Sequence, residues 1–344
     1  MTDTVSVEAG IREDDNALRR EIVHRFGLAQ PTGPADHPVV CCLVRDGEYW
    51  LPAFLDHYRR LGAREFFFLD NDSEDGTLDL LRDQSDVGVF SVKRSLFKHF
   101  NTHLRRLLVT MVRPEGWVLG VDIDEFFDYP FADQVGLGQL CGYLDERRYD
   151  AMSSHQLDMF PAGPINERSS YVSNDPRKDS PYYSLKGLRF NNYECAHVIL
   201  DGVLARKLVL PYSNWKFFYD GLRFRVFGVD IWLTKHALFR TGGELIPYLH
   251  AHIHLHMRVA DISSVLYHYK FTPLLGRQIE TALREKQYCD DSSDYIHYGN
   301  RLDSGDQVIV NDGSAKKLNS VDDLLDPSFL EASERYKTCF GIAR

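Results

Sequence analysis

Two short acidic stretches carry the residue types and the spacing that chemistry needs. In VDIDEFF (121–127), Asp122 and Asp124 alternate at the end of an apolar run. Residues two apart in an extended chain face the same way, so both carboxylates can converge on one hard cation. Diphosphate oxygens would complete the shell of a magnesium or manganese ion held there. Such an ion offsets the charge that builds on a departing nucleoside diphosphate. The competing reading is a solvated acidic loop, and the buried strand before the pair favours the chemical one. LDNDSEDGT (69–77) also closes an apolar run. It is not an EF-hand loop: counted from Asp70, Asp75 stands where glycine is needed and Leu81 where glutamate is needed. A carboxylate at a strand terminus can accept a hydrogen bond from a ring N–H or a ribose hydroxyl, which points Asp70 at a ligand. Asp72 and Asp75 can do the same or cap the helix that follows.

HAHIHLH (250–256) sets His250, His252, His254 and His256 at period two. Were the segment one strand, they would share a face and two imidazoles could bind a transition metal; solvent-facing or structurally satisfied histidines are the alternative. His268 and Lys270 in HYKF, and Lys235 in TKHALFR, are candidate diphosphate contacts.

The surrounding elements must position these groups. VVCCLV (39–44), REFFFLD (64–70), VGVFSV (87–92) and GWVLGVDIDEFF (116–127) read as strands. Helical periodicity separates them over 47–62, 77–84 and 102–112. This alternation implies crossover units and a parallel sheet with helices on both faces, the ligand crevice lying at the strands' carboxyl ends. The second half predicts strands over 149–157, 183–190, 204–210, 222–227 and 231–239, then helices over 260–270 and 272–288. A short helix is expected near 17–26, inside a polar extension covering 1–37. A main domain over 38–290 divides into halves 38–130 and 131–290, and 291–344 form a loosely patterned extension.

The chain of 344 residues, 44% hydrophobic and 26% charged, can bury a sizeable core. Its formal charge of −10 argues against sequence-independent nucleic-acid binding, which needs a basic face. There is no GxxxxGK[ST], and GLGQLCG (136–142) lacks the dinucleotide-binding spacing. The six cysteines form no CxxC pair, and the adjacent Cys41 and Cys42 should point to opposite faces of a strand as reduced thiols. No apolar run reaches the length of a spanning helix, and MTDTVSVEAG is not a secretory signal. A cytoplasmic protein is expected, with peripheral attachment at the inner face of a membrane left open.

Four stretches together resemble the GT-A glycosyltransferases, in the family 2-like branch related to the family 92 domain. They are LVRDGEYWLPAFLDHYRRLGAREFFFLDNDSEDGT (43–77), WVLGVDIDEFF (117–127), TKHALFR (234–240) and ADISSVLYHYKF (260–271). The resemblance implies an α/β GT-A fold: a Rossmann-like, mostly parallel sheet with helices on both faces and a smaller mixed sheet on the acceptor side. It also implies metal-dependent, inverting transfer of a sugar from a UDP-, GDP- or dTDP-sugar to a hydroxyl of a glycan, lipid-linked or small-molecule acceptor. By the same resemblance Asp70 reads the base, and Asp122 and Asp124 hold the donor and the Mn2+ or Mg2+ ion. Arg105 and Arg106 occupy a helix that lends the donor a basic group, and His252 or His254 is a third metal ligand. Arg45-Asp46 replaces the usual Asn-Glu at the first loop, where Arg45 is a candidate donor contact. Inversion needs a general base on the acceptor side, for which Asp158 is the first choice, with Asp230 and Glu194 as competitors. Two other readings are a metal-dependent phosphoesterase or nuclease built on the acid pairs and the histidines, and a catalytically silent binding module.

Overall fold

The computed structural model describes residues 14–165, 173, 175–192, 210–211, 215–250, 252–305, 308, 310–326 and 328–342. Its first half is built as the alternation predicts. Strands β1 (Val23–Gly27), β2 (Val39–Val44), β3 (Phe66–Asp70), β4 (Val87–Ser91) and β5 (Gly116–Asp122) lie in one sheet. A strand from the second half, β12 (Leu238–Thr241), completes it in the order β1-β4-β3-β2-β5-β12. The central strands β4, β3, β2 and β5 run parallel, and antiparallel β1 and β12 cover the edges. The molecule is thus an α/β protein whose mixed sheet has a parallel centre.

Every residue of β2 and β3 is buried, because helices lie on both faces. Val40, Cys42 and Val44 face a core shared with the helix Leu51–Leu61, while Val39, Cys41 and Leu43 face one shared with the helix Phe97–Val112. Cys41 and Cys42 therefore point apart, and both are free thiols. Chain order reverses between β2 and β5, since β3 and β4 follow on one side of β2 and β5 lies on the other. Such a switch point opens a crevice at the carboxyl ends of the strands. Two non-glycine residues there have left-handed backbone, Asp46 (φ 49) after β2 and Asp72 (φ 64) after β3. Aspartate tolerates that region better than most residues, and such strain gathers at functional loops.

A second, four-stranded sheet is mixed: β11 (Thr234–Lys235), β7 (Ser154–Asp158), β15 (Ser264–His268) and β6 (Glu125–Asp128), in that order. β15 runs parallel to β7 and antiparallel to β6. Small two-stranded sheets pair β8 (Tyr182–Tyr183) with β16 (Lys316–Lys317), β9 (Leu188–Asn192) with β10 (Lys216–Asp220), and β13 (Ile246–His250) with β14 (Ile253–Leu255).

Several expectations fail. The run 116–127 is two strands in two sheets, broken at a turn over Ile123 and Asp124. The segment read as a helix over 260–270 holds β15, buried at all five positions between β7 and β6; a continuous apolar run does not distinguish a buried helix from a central strand. The segment read as a strand over 222–227 is the helix Gly221–Phe227, bracketed by Gly221 and Gly228 at φ 66 and 70, where L-residues are strained. The region 17–26 is a helix over 14–19 followed by the edge strand β1. The strand expected over 204–210 lies, but for its last residue, outside the described residues. Nor is 291–344 a loose appendage. The helix Cys289–Leu302 buries Tyr295 and Tyr298 against Phe227 and Phe271, and Leu324, Phe329 and Tyr336 join the main core.

Candidate active site

The turn between β5 and β6 joins the two sheets and presents Asp122, Asp124 and Glu125. Tyr58 pins it: its hydroxyl donates to the Glu125 carbonyl (2.8 Å) and accepts from the Phe127 N–H (2.9 Å). The Tyr269 N–H donates to the Asp124 carbonyl at 2.8 Å. Glu125, 1% exposed, turns inward, and one of its oxygens accepts the Asp122 N–H at 3.1 Å.

Side chains from distant segments then meet this turn. Arg105, on the helix Phe97–Val112, reaches Asp122 Oδ1 at 2.5 Å. Lys235, at the end of β11, lies 3.0 Å from Asp122 Oδ2 and 2.6 Å from Glu125 Oε1. Gln156 also donates to Glu125. Burial opposes ionisation of Asp122, but Arg105 and Lys235 prevail and hold it far below the usual carboxylate range. The same carboxylates raise the pKa of Lys235 against its own burial.

The register of the second sheet aligns Glu125, His268 and Asp158 across β6, β15 and β7. His268 Nε2 stands 3.3 Å from Asp124 Oδ2, and its Nδ1 stands 2.7 Å from Asp158 Oδ1. Arg223, from the helix Gly221–Phe227, forks onto both Asp158 oxygens at 2.8–3.0 Å. Burial lowers the pKa of His268, but Asp124 outweighs it and the net shift is upward. Burial would raise Asp158, yet Arg223 and His268 hold it well below the normal range. Arg105, Lys235 and Arg223 thus face Asp122, Glu125 and Asp158, and the His268 imidazole lies between Asp124 and Asp158.

The structure brings Asp122, Asp124, Arg105, Lys235, His268 and Asp158 into one network and ties the other expected residues elsewhere. Asp70 is 2% exposed; its carboxylate accepts the N–H groups of Asp72 and Ser73 at 3.2–3.3 Å, and burial raises its pKa. It holds its own turn together. Asp72 is largely exposed, 3.7 Å from Arg94, and Asp75 receives the Thr77 N–H at the start of the next helix. Arg45 forks onto Glu285. Arg106 turns away from Asp122, to Asp15 and the Tyr248 carbonyl. Lys270 donates to the Tyr295 hydroxyl at 3.0 Å and lies over the Tyr295 and Tyr298 rings.

Asp158 does not have the setting a general base needs. It is 3% exposed and already shared between a guanidinium and an imidazole, so its basicity is depressed. Asp230 is exposed beside Asp220, and Glu194 lies outside the described residues.

HAHIHLH is not one strand. β13 ends at His250 and β14 begins at Ile253, so the shared face is not formed. His252 sits in the connecting turn with Nδ1 3.3 Å from the Thr234 carbonyl. His254 is buried between the Tyr248 N–H and the His236 carbonyl, and burial lowers its pKa to about 3.

Among the described residues, no three His, Cys, Asp or Glu side chains converge as a ready-made metal cage. The donor chemistry at the rim nevertheless fits a hard divalent cation. Asp122 and Asp124 are oxygen donors, 26% and 19% exposed, and magnesium-type ions commonly take one or two carboxylates plus ligand phosphates. Sequence reasoning missed Glu125, Gln156 and Arg223, which carry no local motif. No protein-family model matches the chain, and no curated protein matches it either.

Proposed function

We propose that the chain is a GT-A-type glycosyltransferase that moves a sugar from a nucleoside-diphosphate donor to a hydroxyl acceptor. The observation that carries this reading is the placement of Asp122 and Asp124. Asp122 ends β5 and Asp124 lies in the turn just beyond it, both partly exposed, beside the switch point of an α/β sheet and near two cations aimed at Asp122. Asp122 and Asp124 are the residues that would hold Mn2+ or Mg2+. That ion, when bound, would offset the charge on the departing diphosphate.

The chain's own residues have distinct parts. Arg105 and Lys235 keep Asp122 ionised and fix its direction, and they are within reach of phosphate oxygens arriving at the same rim. In transfer, the acceptor oxygen bonds to the anomeric carbon while the bond to the β-phosphate breaks. The electron pair leaves on the diphosphate, and the acceptor's hydroxyl proton passes to a base. Asp158 acts at one remove, orienting His268 toward Asp124.

The test is a thermal-shift panel of UDP, GDP and dTDP with and without manganese, followed by donor hydrolysis or transfer. One nucleotide should raise the melting point by mass action only when the metal is present. Activity should collapse with EDTA and return with manganese or magnesium. Metal-independent transfer, or no nucleoside diphosphate binding at all, sinks the proposal.

A further inference from the structure

At the other end of the crevice, a carboxylate occupies a position that suits a ligand. Glu285 is the last residue of the helix Leu275–Glu285, a terminus where the helix dipole disfavours negative charge. Its partners all lie within a short reach. Both oxygens contact the Arg45 guanidinium, one of them at 2.7 Å; Arg94 stands 3.7 Å away and Arg284 3.3 Å. Arg45 follows β2 directly and Arg94 comes soon after β4, at the carboxyl ends where ligands of such sheets bind. Arg45 also donates to Gln287 at 2.6 Å and lies 3.6 Å from Asp46. Arg94 contacts Glu74 at 2.8 Å and the Asp72 carbonyl at 2.9 Å. Even so, Nε of Arg45 and of Arg94 are buried without a hydrogen-bond acceptor. Two guanidiniums with spare buried donors, joined by one forked carboxylate, have the chemistry of a phosphate site. The chain leaves Glu285 through Lys286 (φ 49), a strained non-glycine position that can absorb a swing.

We infer that Arg45 and Arg94 form an anion site for a diphosphate-class ligand, and that Glu285 fills it in the free protein and leaves when that ligand enters. The identity of the ligand rests on the proposed function; the displacement does not. The probe is inorganic pyrophosphate, titrated calorimetrically into the full chain as wild type, Glu285→Gln and Glu285→Gln/Arg45→Gln. If the carboxylate blocks the site about nine-tenths of the time, its removal tightens binding about tenfold. The double variant should lose that gain. Equal or weaker binding by Glu285→Gln, or none in either protein, overturns the inference. So does a lowered melting point without any anion-dependent recovery, which is how a purely structural tie behaves.

A second measurement needs no variant. Saturating pyrophosphate should speed tryptic cleavage of the wild-type chain at Arg284 and Lys286, and an unchanged rate overturns the inference. Sugar transfer with no change in pyrophosphate affinity on Glu285→Gln would remove the latch and leave the transferase. Tighter pyrophosphate binding without transfer would do the reverse.

Discussion

Asp158→Asn is the sharpest perturbation, because it separates a structural anion from a proton acceptor. The Arg223 guanidinium is 4% exposed and its carboxylate partner is Asp158, at 2.8 Å. Breaking a buried pair by removing one charge costs about 3–5 kcal/mol, since the other charge stays buried without compensation. Asparagine keeps one acceptor oxygen, which places the loss toward the lower end. With about 2.1 cal/mol/K of unfolding entropy per residue, the 344-residue chain has roughly 0.7 kcal/mol/K, so the melting point should fall by about 4–7 °C. Thermal unfolding followed by far-UV circular dichroism reads this directly. Arg223→Met should cost a similar amount, and the double variant less than the sum, because neither partner then remains alone. A variant that melts within about 1 °C of wild type and yet loses transfer would refute the argument. That is the behaviour of a catalytic base, and it would return Asp158 to the role that its sequence position suggests.

Asp124→Asn should leave the melting point nearly unchanged, because this carboxylate is at the rim, but should abolish manganese-dependent binding of nucleoside diphosphate in the thermal-shift assay; retained binding would remove Asp124 from the metal set. Lys235→Met should destabilise the fold by about 3 kcal/mol, since Glu125 and Asp122 then share a buried excess of negative charge; a neutral effect in urea unfolding would contradict the network. Asp128 gives a pH signature. Burial, reinforced by Asp322, pushes its pKa up to about 7, against about 3.9 in the unfolded chain. Between those values the native state keeps a proton that the unfolded state has lost, so stability falls as pH rises through that window. Asp128→Asn should therefore gain about 1–2 kcal/mol at pH 8, discounted for partial exposure, and little at pH 4. A gain that does not depend on pH would refute the assignment.

The sequence by itself determined the parallel half of the molecule and the acid pair. VVCCLV, REFFFLD and VGVFSV are short apolar runs between amphipathic helices, and each became a strand where the pattern placed it. That alternation leaves strand order open; the fold places the switch point between β2 and β5, with Asp122 and Asp124 at its rim. Tertiary structure alone decided what those carboxylates meet. Glu125, Gln156, Asp158, Arg223, Lys235 and His268 are brought together by the register of β6, β15, β7 and β11 and by one short helix. Register is a property of pairs of strands, so no local window contains it. The same cause hid β15, whose buried apolar run fits helix and strand equally until both neighbours are present. It also redirected Asp70, because a strand-end aspartate can bind a ligand or close its own turn, and only the fold around it selects between the two.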